Sequence, residues 1–320
     1  MNADTIRALL IFLVLFAVIT VGAWLAAPTW LSTSGQGGRA RVALVHVEGT
    51  IVGSAGGGSL LTGESLASSV AICDRLYRAR DDDSVKAVVV RINSPGGSAA
   101  ASDEIYRAIE DLSNTKKVVV SMGDVAASGG YYIAAAADHV VANGATLTGS
   151  IGVIFSLINW EDAAAKLGIE DVTLTAGQHK DIGSPWREMT ADERALLAEL
   201  MTEVHDQFIA AVAAGRENLT EDEVREIATG MIFTGERALT LGLVDELGGL
   251  RQAEDRAREL AGLPEDAPVE QYREQSLLDE LFAIRFGGGA DYLQRLSIDP
   301  LTGLARSLFL SSVLRDLRVR

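Results

Sequence analysis

Residues 117–137 read Lys117-Val-Val-Val-Ser-Met-Gly-Asp-Val-Ala-Ala-Ser128-Gly-Gly-Tyr-Tyr-Ile-Ala-Ala-Ala-Ala137. The first six residues are short, β-branched and apolar, the pattern of a buried strand, and the alanine-rich stretch from Ser128 to Ala137 predicts a helix. Ser128 therefore falls at a strand-to-helix turn. At a helix start the first N–H groups have no intrahelical partner and the macrodipole favours negative charge, so an oxyanion forming beside Ser128 would meet ready donors. A serine there is also the ordinary helix cap, and this string alone leaves both readings open.

The unit before it has the same form. Val85 to Ile92 reads as a strand, Asn93-Ser-Pro-Gly-Gly-Ser98 as a turn, and Ala99 to Leu112 as a helix. Gly96 and Gly97 would present bare N–H groups at the carboxyl end of a parallel strand, where α/β sheets place their ligands. Acyl transfer needs two such donors aimed at the developing oxyanion, and loss of one costs about 10²-fold or more in rate. Gly97 and Gly129 are the candidates.

A serine hydroxyl needs a base, and the four histidines are poorly placed for it. His46 lies within the strand Val42 to Val47, His139 ends the helix that follows Ser128, and His205 belongs to the helical run beginning near Ala191. His179 adjoins Lys180, and lysines are scarce, five against 23 arginines. A lysine serves as general base when burial lowers its pKa from about 10.4 toward neutrality. An exposed loop charge is the plainer reading of Lys180, and spacing does not decide between them.

At this point the motifs carry a family likeness. Asn93-Ser-Pro-Gly-Gly97, Ala127-Ser-Gly-Gly-Tyr-Tyr132, Thr148-Gly-Ser-Ile-Gly-Val153, Lys180-Asp-Ile-Gly-Ser-Pro185 and Phe233-Thr-Gly-Glu-Arg-Ala238 with Gly242-Leu-Val-Asp-Glu-Leu-Gly248 resemble, in that order, the short single-lobe signal peptide peptidase A family. The likeness spans roughly Val42 to Leu260. It implies a membrane serine endopeptidase that degrades cleaved signal peptides and other membrane peptides through an acyl-enzyme. Ser128 would be the nucleophile and Lys180 the general base, from the same chain or an adjacent subunit. Gly97 and Gly129 would form the oxyanion hole, and Ser150 would orient the lysine amine. It further implies an α/β fold of the Clp protease and crotonase type, a spiral of strand-strand-helix units, assembled as a closed homo-oligomeric ring of about eight subunits. His179 lies outside every motif, and Met231 stands where the pattern has a basic residue.

The remaining chain fits that reading. Residues 1–5 are a short stub, and 6–27 contain the uncharged apolar run Ala8 to Ala27, long enough to cross a hydrocarbon core as a helix. Its length exceeds a signal-peptide h-region and its amino-terminal flank is barely basic, which favours a retained anchor, although Ala26-Ala27 offers a cleavage point. Charge does not decide the orientation: Arg7 lies on one side, Arg39 and Arg41 on the other. The family likeness implies a single-pass protein of the cell membrane with its catalytic domain on the extracytoplasmic side. Residues 28–41 form a Ser/Gly/Thr-rich linker, 42–265 the protease domain, and 266–320 a helical, amphipathic and locally basic tail. Within the domain, strands and helices alternate, with a helix expected over Glu64 to Arg80, which argues a mostly parallel sheet. Thr190 with Glu193 and Thr220 with Glu223 read as capping boxes that open helices serving as scaffold or subunit contact.

Composition excludes other classes. A net charge of -16 argues against nucleic-acid binding, no phosphate-cradling loop or zinc-ligand cluster is evident, and no cofactor is expected. The single cysteine, Cys73, precludes an internal disulfide. Two rival functions stand beside the protease: a crotonase-type acyl-CoA enzyme using the same paired donors with carboxylate chemistry, and a catalytically silent membrane scaffold. A Clp-type histidine is excluded, since Val153 stands at the corresponding spacing after Ser128.

Overall fold

The computed structural model describes residues 39–54 and 65–272. The expected anchor (6–27), most of the linker and nearly all of the tail lie outside them, and no helix among the described residues is long and apolar enough to cross a membrane.

Three long strands carry the body: β1 (Arg41–Glu48), β4 (Val85–Ser94) and β5 (Lys117–Ala127). They pair in parallel, flanked by β6 (His139–Ala142), β9 (Glu246–Leu247) and β10 (Val269–Gln271), in the order β10-β1-β4-β5-β6-β9. Between the strands run α1 (Ser69–Asp81), α2 (Ala99–Ser113) and α3 (Gly129–Ala134). Two short strands, β2 (Thr50–Val52) and β3 (Leu66–Ser68), form a separate parallel pair. This is the mostly parallel α/β sheet that the alternating sequence predicts.

Both faces of the sheet are covered, which is why the strands read as nearly unbroken apolar runs. Along β4, Val88, Val90 and Ile92 face the large core with α1 and α2, while Ala87 and Val89 turn to the other face. There α8 (Leu250–Leu260) packs Ala253 and Ala257 against Val42, Leu44 and Val119. The period of two is conserved across β5, whose Val118, Val120 and Met122 join the large core.

Several boundaries move. The helix expected from Glu64 to Arg80 is a strand, Leu66–Ser68, followed by α1, because Ser68 takes an extended conformation and caps the helix through its hydroxyl. The helix after Ser128 stops at Ala134, and His139 opens β6 instead of closing that helix. The body continues past residue 265: β10 pairs Val269 to Gln271 with β1 as an edge strand. Cys73 lies half-buried against the core, and burial pushes its thiol up to about 11.

The second half is helical, as expected: α5 (Ala191–Gly215) and α6 (Glu221–Ile227) open with the two capping boxes read from sequence. They follow the short α4 (Glu161–Leu167) and precede β8 (Ile232–Thr234) and α7 (Gly235–Thr240). Just after α5, Arg216 is 4% exposed and bonds Asp245 with both terminal nitrogens. Asp245 also accepts the Val140 N–H at 2.7 Å, tying the carboxyl-terminal region to the sheet. Replacing Arg216 with alanine leaves that carboxylate half-paired near the core. We expect Arg216→Ala to destabilise the protein by about 3 kcal/mol, read as a lowered urea midpoint with unchanged slope.

Candidate active site

The site is built where three parallel strands end. Ser94, at the end of β4, pairs with Ala126 of β5. One strand over, Ala127 of β5 pairs with Gly149 of β7 (Leu147–Gly149). The next residue beyond each strand end is therefore a neighbour in space: Ser128 after β5 and Ser150 after β7. The Ser128 N–H donates to Gly149 O at 2.9 Å, and the buried Thr148 hydroxyl donates to Ala126 O at 2.7 Å.

Ser128 and Ser150 share a rare backbone. Among the described residues they are the only non-glycines with positive φ, 52° and 51°. Ser128 pairs that φ with ψ of -123°, the geometry of the first central residue of a type II′ turn, which glycine normally occupies. Although it sits at the N-cap of α3, its side chain makes no capping bond. The plain cap reading thus fails: Ser128 holds a strained backbone and its hydroxyl makes no capping bond.

The Pro-Gly-Gly turn closes over this serine. A Cβ on Gly96, at φ +98°, would fall 2.6 Å from Gly129 N and 2.8 Å from Ser128 Cβ, so only glycine lets the two turns touch. Ile51 of β2 holds the turn from the other side. Its N–H donates to Gly96 O and its carbonyl accepts from Ser98 N, both at 2.9 Å, so the pair of bonds passes over the Gly97 N–H. The Gly129 N–H opens α3, where no residue four earlier in a helix exists to accept it.

Ser128 lies on the wall shared by two cavities. One, about 810 Å³, contains Gly97, Ser102, Gly129, Tyr132 and Phe208. The Tyr132 ring packs at a tilt against Phe208, centroids 4.9 Å apart, and its hydroxyl donates to Asp103 at 3.0 Å. Burial first, and then that carboxylate, hold the Tyr132 phenol well above its ordinary range, so it remains a neutral donor. The other cavity, about 570 Å³, contains Ser128, Ser150, Gly152 and Gly230 with Ala198, Met201, Thr202 and His205.

Those last four residues recur at helical spacing on one face of α5, so this helix, read from sequence as scaffold or subunit contact, also lines the cavity beside Ser128. His205, set aside on sequence as a helix residue, turns its Nε2 into a buried position without a hydrogen-bond partner. The only signal available was the 198, 201, 202, 205 spacing, which looks the same for any buried face. Met231, the departure from the family pattern, serves through its backbone: its carbonyl accepts the Ser150 N–H at 2.7 Å while its side chain is exposed.

Lys180 is not among the residues lining either cavity. It is exposed, in a run of turns between Gly177 and Ser184. Ser128, Ser150, Gly97 and Gly129 thus gather around these two cavities, and Lys180 lines neither of them. Around it the segment is rich in exposed apolar side chains, Ile154 at 89% and Leu174 at 94% among them. Next to the lysine, Arg187 depresses Asp181 and, with the Thr190 N–H, brings the Glu193 carboxyl down to about 2. Both carboxyls are lowered, so what this ion cluster adds to stability is complete above the ordinary carboxylate range and is lost as pH falls toward 2.

Residues 110–264 match the family model described as Peptidase family S49, and residues 59–146 match that described as Clp protease. A Synechocystis relative bearing a protease description is 43% identical over 223 residues, covering 69% of this chain and 78% of that protein. The chloroplastic serine protease SPPA of Arabidopsis thaliana is 36% identical over 229 residues, 71% of this chain and 33% of the relative. An Enterococcus faecium protein described as a signal peptide peptidase is 36% identical over 203 residues, 62% of this chain and 58% of the relative. The match thus takes in less than two thirds of the latter two proteins.

The strain at Ser128 is measurable without substrate. Glycine occupies its backbone conformation freely, alanine does not. We expect Ser128→Gly to be more stable than Ser128→Ala by about 1 kcal/mol in urea unfolding; equal midpoints would show that the turn is relaxed.

Proposed function

The chain belongs to peptidase family S49 and is a serine protease, and from that premise we propose that it cleaves peptide bonds through an acyl-enzyme on Ser128 with Lys180 as general base. The observation that carries the choice of Ser128 is its uncapped, positive-φ placement on the wall between two cavities.

In this reading the neutral Lys180 amine takes the Ser128 hydroxyl proton as Oγ attacks the scissile carbonyl carbon. The oxyanion is held by the Gly97 and Gly129 N–H groups. The lysine ammonium then protonates the departing amine, and water, deprotonated by the same lysine, hydrolyses the ester to release the acid and regenerate Ser128. Ser150, fixed beside Ser128 by the strand register, orients the amine. That role is the one a carboxylate plays toward histidine in other serine proteases.

The exposed position of Lys180 favours a base supplied between subunits. Apolar side chains such as Phe155, Ile158, Trp160 and Leu174 stand in water on the segment that leads to it, more than an isolated monomer ordinarily exposes. Packing of that segment against a second copy would cover them and desolvate the lysine, which lowers its pKa. A homo-oligomeric ring of about eight copies is the assembly proposed. The substrates proposed are signal peptides and other membrane-derived peptides, on the extracytoplasmic side of a cell membrane, with residues 6–27 as the anchor. The Enterococcus relative's description supports the substrate class and the apolar run Ala8 to Ala27 supports the anchor. The acyl-CoA and silent-scaffold alternatives fall with the family assignment.

Ser128→Ala is expected to lose covalent labelling by a fluorophosphonate probe together with turnover. Lys180→Ala should fold and assemble as wild type yet lose at least about 10³-fold in kcat, and the wild-type rate should climb with pH as the base deprotonates. Wild-type turnover in Lys180→Ala would sink the assignment of the base.

A further inference from the structure

Six residues after Asp181, one arginine grips that residue twice. Arg187 Nε donates to Asp181 Oδ2 at 2.9 Å, and its Nη2 lies 3.4 Å from the Asp181 carbonyl. The other edge of the same guanidinium pairs with both oxygens of Glu193, at 2.9 and 2.5 Å. Glu193 is itself fixed. Its carboxylate accepts the Thr190 N–H at 2.9 Å to complete the capping box of α5, and its side chain is only 5% exposed.

The guanidinium therefore links two places of consequence. Asp181 is the residue next to Lys180, and α5 is the helix whose Ala198, Met201, Thr202 and His205 line the cavity of Ser128 and Ser150. The backbone around Lys180 and Asp181 is a chain of turns, Lys180 N–H to Gly177 O and Ile182 N–H to His179 O at 3.2 Å and Ser184 N–H to Asp181 O at 2.9 Å, and none of these bonds reaches α5. A fork that bonds a carboxylate at each edge is rigid in a way a single point charge is not.

We propose that Arg187 is a positioning residue for catalysis, acting through Asp181 to hold Lys180 in place relative to helix α5. It rests on Lys180 being the base. Two physical effects follow from the geometry. The lysine Cα is anchored, so less side-chain freedom is lost in reaching the serine. Asp181, occupied by Arg187, is kept from pairing with Lys180, where a free carboxylate would favour the ammonium form that cannot accept a proton. Misplacement of a catalytic group by about 1 Å costs on the order of 10²-fold, which sets the size of the effect to expect.

The test uses the full chain, an activated ester substrate so that residual turnover is measurable, and Arg187→Ala in two backgrounds. In the wild-type background kcat should fall about 10- to 100-fold with KM unchanged within about 2-fold, and Arg187→Lys should recover part of the loss. In the Lys180→Ala background Arg187→Ala should change kcat no further, since the residue through which it acts is gone. Glu193→Gln, which keeps the cap's shape but weakens the fork, should lower kcat in the same direction and guards against an Arg187→Ala protein that does not fold. An equal loss in both backgrounds, or wild-type kcat in Arg187→Ala where Lys180→Ala is dead, would overturn the proposal. Wild-type kcat in Lys180→Ala overturns the base assignment itself, and the positioning role with it.

Discussion

The hydrogen bond from the Ser128 N–H to Gly149 O is where the fold and the chemistry meet. It continues the β5–β7 ladder by one residue beyond the last strand pair, and so locks the two serines that follow those strands into one neighbourhood. Parallel pairing makes this possible. β4, β5 and β7 point the same way, so their carboxyl ends and the turns that leave them gather at one end of the sheet, although β8 runs antiparallel to β7. The Pro-Gly-Gly turn after β4 arrives at the same edge, and Gly96 lets it lie against the peptide between Ser128 and Gly129.

That arrangement explains why strain is tolerated at Ser128 and Ser150. Each holds a positive φ that costs on the order of 1 to 3 kcal/mol for a residue with a Cβ. The surroundings overdetermine both: a ladder bond on one side, the Ser150 N–H to Met231 O bond on the other, and the buried strands Val85–Ser94 and Lys117–Ala127 beneath. A serine in a relaxed N-cap would spend its hydroxyl on the helix. At φ 52° and ψ -123° it does not bond the N2 or N3 amide in the usual way, and the oxygen is left uncommitted to the helix.

The fold was largely legible because the sheet is buried on both faces. Val42–Val47, Val85–Ile92 and Lys117–Met122 are short, β-branched and largely apolar runs, interrupted only at residues such as His46, Lys86, Arg91 and Ser121, and they follow one another in alternation with helical stretches. Thr190 and Thr220 announced their helices through side chains that bond locally. What escaped were features set by distant contacts: Leu66–Ser68 pairing with Thr50–Val52, Val269–Gln271 joining the sheet edge, and the cavity face of α5. The site divides in the same way. Ser128 and the two glycine turns are local features, so short strings single them out as candidates. Lys180 depends on where a long, loosely packed segment ends up, and its reading came from the order of motifs. Arg187 was invisible for the same reason, since its value lies in having Asp181 on one edge and Glu193 on the other.

The two halves of the site differ in the support they receive, and the chemistry asks for that difference. Donors that stabilise an oxyanion act only if they are already in place, because reorganising them at the moment of reaction costs what they would contribute; these sit on turns rooted in the core. A lysine base asks instead for removal from water, and the chain that carries Lys180 exposes it among apolar side chains that have nothing to cover. Burying that segment would satisfy both needs at once, since the apolar area lost to water would drive the contact and the same contact would take the lysine out of water. Position is then the remaining requirement, because desolvation lowers a pKa without aiming the amine. On the proposed mechanism the two-edged arginine within the segment would supply aim, so that the apolar surface to be covered, the proposed base and its positioning residue would all lie on one stretch of chain, from Ile154 to Glu193.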